Sequence, residues 1–107
     1  MFTVEYFTDV DGNIIFDEWL DHLSDRQAIA RITTRIERLK RGAFGDCKPL
    51  QEGVWELRID YGAGYRLYYS MVGKTIVLLL CGGDKRKQNA DIERAVNYLK
   101  DYKRRKI

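Results

Sequence analysis

The chain has 107 residues, a third of them charged, and a formal net charge of +3. That length supports one hydrophobic core, so residues 1–107 are expected to form a single domain. No apolar run is long enough to span a membrane, and residues 1–25 hold no Lys or Arg, so the basic start of a secretory signal is absent. Two cysteines, Cys47 and Cys81, and one histidine make neither a disulfide framework nor a zinc cluster. The expectation is a cytoplasmic protein with reduced thiols, no metal and no cofactor.

Phe2 to Thr8 is rich in aromatic and β-branched residues and reads as a first strand. Asp11-Gly12-Asn13 is a turn signal. Phe16, Trp19, Leu20 and Leu23 then recur at helical spacing, and Ser24-Asp25 breaks the pattern and caps a second helix. In that helix Ile29, Ile32, Ile36 and Leu39 form one stripe, with Arg31, Arg35, Arg38 and Arg41 largely off it. Gly42 ends it, and the two segments make a helical hairpin. Phe44 to Gln51, with the single proline Pro49, reads as a loop. Three strands follow, near residues 54–60, 65–72 and 75–81, and Gly82-Gly83-Asp84 is expected to end the sheet. Asp91 to Tyr102 is the last helix, with Ile92, Ala95, Val96, Leu99 and Tyr102 as its apolar stripe. Lys103 to Lys106 is a basic tail, read either as fraying residues or as a grip on ribosomal RNA. The order β-α-α-β-β-β-α describes an α+β domain, with an N-terminal helical hairpin and a C-terminal helix against a small, mostly antiparallel sheet.

Charge is divided along the chain. Seven acids (Glu5, Asp9, Asp11, Asp17, Glu18, Asp21, Asp25) lie in the first 25 residues, and all the Lys and Arg lie after them. A basic body of this kind attracts nucleic acid or an acidic protein, or else is a set of solvated helix faces.

The strand pair after Gly53 carries the chemistry. Trp55, Leu57 and Ile59 alternate with Glu56, Arg58 and Asp60; Leu67, Tyr69 and Met71 alternate with Arg66, Tyr68 and Ser70. A hairpin through Tyr61-Gly62-Ala63-Gly64 brings Glu56, Arg58, Arg66 and Tyr68 to one charged face. Two guanidiniums beside a phenol and a carboxylate suit a phosphate-bearing partner. Arg66 is the leading candidate, able to hold a phosphate bidentately or to stabilise its developing charge; a salt bridge to Glu56 or Asp60 is the structural alternative. Tyr68 is a stacking platform, a proton carrier or a half-buried strand tyrosine. Lys85, Arg86 and Lys87 fall where the last strand meets the last helix, a place that favours anions; a solubilising charge cluster is the alternative. Lys48 can reach the same face from its loop, or is simply an exposed loop lysine. His22 lies in the acidic segment, remote from these groups, so proton transfer falls to Glu56, to a lysine, or to a 2′-hydroxyl polarised by arginines.

Lys48-Pro-Leu, Gly53-Val-Trp-Glu-Leu-Arg58, Gly64-Tyr-Arg-Leu-Tyr-Tyr69 and Gly83-Asp-Lys-Arg-Lys87 together resemble the RelE/ParE superfamily of type II toxins, closest to its HigB-like branch. The resemblance implies the RelE-like fold over nearly the whole chain. It also implies a toxin neutralised by a cognate, HigA-like antitoxin with a helix-turn-helix domain. For RelE-like members it implies an mRNA endoribonuclease acting on the ribosome. Arg66 matches the arginine that supports the scissile phosphate, Arg86 a second arginine after the last core strand, and Arg58 a basic residue of the preceding strand. On this basis Arg66, Arg86 and Glu56 are the catalytic candidates, and Lys48, Arg58, Tyr68, Lys85 and Lys87 the RNA-binding ones. Two positions depart from the pattern: Glu56 stands where some relatives have lysine, and Ile92 where several have a functional tyrosine or histidine. ParE-like members share the fold but poison gyrase without a nuclease centre. A gyrase inhibitor and a degenerate, non-toxic binding domain are therefore the rival readings.

Overall fold

The computed structural model describes residues 1–106. The chain runs β1 (Thr3–Tyr6), α1 (Ile15–Asp21), α2 (Arg26–Lys40), β2 (Cys47–Pro49), β3 (Trp55–Ile59), β4 (Tyr65–Val72) and β5 (Ile76–Asp84). A 3-10 turn (Lys85–Lys87) then leads into α3 (Gln88–Arg105). The five strands form one sheet in the order β1-β5-β4-β3-β2, with β1 parallel to β5 and every other pair antiparallel. The expected α+β class and mostly antiparallel sheet are present. No helix among the described residues is long and apolar enough to cross a membrane.

Local signals account for the helices. The Asp25 carboxylate accepts from the backbone N–H groups of Gln27 and Ala28, which caps α2 as its sequence requires. Ala28, Ile32, Ile36 and Leu39 form its buried stripe. With Phe16 of α1 they cover one face of the sheet, against Leu57, Leu67, Tyr69 and Leu79. The opposite face is covered as well. Ala95, Val96 and Leu99 of α3 pack on Val54, Tyr68, Leu78 and Leu80.

Three expectations are corrected. Residues 47–49 are not loop but a short edge strand, pairing Lys48 with Glu56 and Pro49 with Trp55. Proline is tolerated there because the strand lies at the sheet edge. Gly82 and Gly83 do not break off the sheet; they are paired residues within β5, which runs on to Asp84. Tyr68 pairs with Cys81 and Tyr69 with Leu79, so Leu80 is an extra, bulged residue, and both Leu80 and Cys81 face α3. The shift aims Gly82 at α1 and Gly83 at α3. A Cβ on Gly82 would overlap the Trp19 indole, and one on Gly83 would overlap the Asp91 carboxylate. Finally, the basic tail continues α3 as far as Arg105. Arg105 donates to the Thr8 carbonyl at 2.6 Å and lies 5.3 Å from the centre of the Phe7 ring, so it docks rather than frays.

Cys81 lies in the α3-facing core, where burial pushes its thiol from 9.0 up to about 12. A group raised in the folded state stabilises fully below its unfolded value and loses that contribution as pH climbs through the folded one. The urea midpoint is therefore expected to fall progressively between about pH 9 and pH 12, and Cys81→Ala should flatten that slope whatever its effect at neutral pH. An unchanged slope in the variant would exclude the thiol as its source.

Candidate nucleic-acid interface

Register decides which charged residues meet. On the α3 side of the sheet, Lys48, Glu56, Tyr68 and Cys81 form one cross-strand row, and Arg58, Arg66 and Gly83 form the next. Arg86 and its two lysines follow directly, because β5 closes its pairing at Tyr65–Asp84 and runs straight into the 3-10 turn. The Lys85 stem crosses the hairpin at Gly64, whose φ of +77° and missing Cβ admit it.

The rows do not form the open charged surface that alternation suggests. Glu56 and Tyr68 are 0% exposed and Arg66 is 8% exposed. The reason is α3, whose first turn lays Gln88 over Glu56, Nε2 to Oε2 at 2.7 Å. Tyr68 is therefore no stacking platform. Its hydroxyl is buried, and burial together with the Glu56 and Asp91 charges raises its pKa, so it stays a protonated donor. Arg66 donates from Nη1 to the Tyr65 carbonyl at 3.1 Å, and its Nε lies 3.9 Å from Glu56 Oε2, a loose form of the expected ion pair. Glu56 Oε1, Arg66 Nε and Tyr68 Oη are, among the described residues, the buried side-chain polar atoms without a hydrogen-bond partner. Each such atom costs on the order of 1–3 kcal/mol.

The remaining candidates are exposed or half-exposed, and two are neutralised. Arg58 bonds Asp46 at 2.7 Å and Arg86 bonds Asp84 at 3.0 Å. These hydrogen bonds hold both carboxyls below the usual carboxylate range. Lys48, Lys85 and Lys87 are exposed. The site thus has an exposed basic rim and a buried polar floor.

One floor residue is missing from the sequence-based set. Asp91 is buried, bonds Arg94 at 2.9 Å and lies against the bare backbone of Gly83; burial raises its pKa. Its signal was available, since Asp91, Ala95 and Leu99 repeat every four residues along the buried face of α3. No group of His, Cys, Asp and Glu among the described residues is arranged to hold a metal ion.

Residues 18–100 match the family described as phage derived protein Gp49-like (DUF891). The chain is also 49% identical, over 86 residues, to an uncharacterized protein of Haemophilus influenzae, a match covering 80% of this chain and 87% of the relative. The family match contains β2 to β5 and the first turns of α3.

Gly83→Ala should cost about 1–3 kcal/mol, because a methyl group there displaces the Asp91 carboxylate and with it the start of α3. Gly83→Ala with Asp91→Ala should cost less than the sum of the single changes by more than about 0.5 kcal/mol. Strict additivity in urea titrations would show that the two residues do not compete for that space.

Proposed function

The chain belongs to the Gp49-like family of phage-derived proteins, and on that footing we propose that it is the toxin of a toxin–antitoxin module, of RelE/ParE type and nearest the HigB-like branch. In this reading it is a cytoplasmic, metal-independent endoribonuclease that cuts mRNA on the ribosome and is held in check by a helix-turn-helix antitoxin.

The observation that carries the reading is Arg66. It is the guanidinium of the site that is nearly buried with its carboxylate, Glu56, beyond hydrogen-bond distance, whereas Arg58 and Arg86 are each neutralised at the rim. A desolvated guanidinium facing a carboxylate is suited to a phosphate that gains charge as it reacts. The 2′-oxygen of a ribose would attack the adjacent phosphorus in line as its proton passes to Glu56. The bond from phosphorus to the 5′-oxygen would break, and the leaving oxygen would take up a proton. A 2′,3′-cyclic phosphate and a 5′-hydroxyl result, with no metal required. Arg66 would bear the phosphoryl charge. Arg86, Lys85, Lys87, Arg58 and Lys48 would hold the flanking backbone, and positioning would supply much of the rate.

Mapping of mRNA 5′ ends after brief induction in cells tests this. New cuts at fixed codon positions are expected with wild type and at least about a hundredfold fewer with Arg66→Ala. Arg66→Lys, which keeps the charge against Glu56 but loses the guanidinium fork, should fall nearly as far while melting close to wild type. Growth arrest with intact transcripts would instead favour the gyrase-directed alternative, and absence of any growth effect the non-toxic one.

A further inference from the structure

The buried floor holds more than Arg66 and Glu56. Tyr68 Oη and Arg66 Nε are both donors, both buried and both without an acceptor. They belong to the same strand, two residues apart and therefore on the same face of the sheet. Burial keeps the phenol protonated. A donor pair of this kind lacks one thing, an oxygen that accepts from both.

The cover over the pair is slight. Lys85, Arg86, Lys87, Asn89 and Ala90 are exposed, and Asp91 is the first fully buried residue of α3. Between Asp84 and Asp91 the Gln88 side chain bonds Glu56 on β3, and the Lys85 stem rests on Gly64. Asp84 is paired with Tyr65 at the end of β5, so its bonds to the Arg86 N–H and guanidinium tether the start of the turn to the sheet, and the part of the turn that Gln88 holds is Lys87 to Ala90. Raising that part leaves the helix seated on Ala95, Val96 and Leu99, and leaves three cations around the opening.

We propose that Tyr68 is a second donor to the scissile phosphate, its hydroxyl meeting the same non-bridging oxygen as Arg66 Nε, and that Gln88 is the latch which the substrate displaces to reach them. The inference rests on the ribonuclease reading and adds to it a residue and a route of entry. The ligand is an RNA phosphodiester entering from the α3 side. The phosphate oxygen satisfies both donors, and the neighbouring 2′-hydroxyl donates to Glu56 Oε1, the third unpartnered atom. The arrangement also explains why a tyrosine stands where its hydroxyl gains nothing in the free protein: phenylalanine fills the same space without burying an unpaired donor.

The test pairs thermal melting of purified variants with 5′-end mapping in cells. Tyr68→Phe should melt at or above the wild-type temperature and yet cut about ten- to a hundredfold less. A purely structural tyrosine would not separate the two readouts in that direction. Gln88→Ala, which removes the latch, should cut at least as well as wild type. Tyr68→Phe cutting like wild type, or melting lower in step with its loss of activity, would overturn the donor role; Gln88→Ala cutting less would overturn the latch. Both failures are separable from failure of the ribonuclease reading itself, in which wild type makes no Arg66-dependent cuts and this proposal falls with it.

Discussion

The hydrogen bond from Gln88 to Glu56 holds together two parts of the molecule with opposite requirements. Below it lies a sheet whose β3 and β4 carry charged residues on the face turned toward α3. Above it lies a helix that must bury Ala95, Val96 and Leu99 somewhere, and that face is the available place. A helix seated on a charged face must accept polar groups in its shadow, and buried polar groups are tolerated only when paired. Here the pairing is partial. Gln88 meets one oxygen of Glu56, and three neighbouring polar atoms stay unmet. The rest of the site follows from this compromise: a buried floor, an exposed basic rim and a single helical turn between them.

The arginines divide accordingly. Arg58 and Arg86 lie where water and an aspartate share the work of solvating them, so each is stable at rest and adds little to the fold. Arg66 has given up most of its water and faces a carboxylate at a distance too long for a hydrogen bond. Loss of solvation without full repayment is a familiar property of sites that bind charge, because the same field that is weakly satisfied at rest acts strongly on an incoming group. Asp91 shows the contrasting solution. It is more deeply buried, but Arg94 and the bare backbone of Gly83 settle it in place, and it anchors the helix.

Much of this was legible from residue spacing. The capped α2 with its stripe of Ile32, Ile36 and Leu39, the two tight turns and the helical C-terminal segment follow from periodicity and turn chemistry alone. The common face of Glu56, Arg58, Arg66 and Tyr68 follows from alternation and one hairpin. The depth of that face was not legible. Alternation on a strand shows which side chains share a side; it cannot show that a helix 20 residues further on will lie across them. The strand at Cys47–Pro49 escaped because an edge strand of three residues with a proline has no periodicity to detect. The extension of β5 through Gly82 and Gly83 escaped because glycine signals a turn locally, whereas here it is required by an indole on one side and a carboxylate on the other. A bulge at Leu80, invisible in composition, determines which of the two meets which.

The parallel pairing of β1 with β5 has a consequence in time. Thr3 to Tyr6 are made well before their partners, Ile76 to Leu79, which come some seventy positions later. Arg105, which closes on the Thr8 carbonyl, comes later still. A growing chain can form α1 and α2 early, but β1 has no neighbour in the sheet until β5 is made, and Glu56 no cover until α3 is. Long-range pairings of this kind are slow to close. The polar floor is therefore covered only once α3 has been made, so a product that stops before Gln88 carries Glu56, Arg66 and Tyr68 without the helix that buries them.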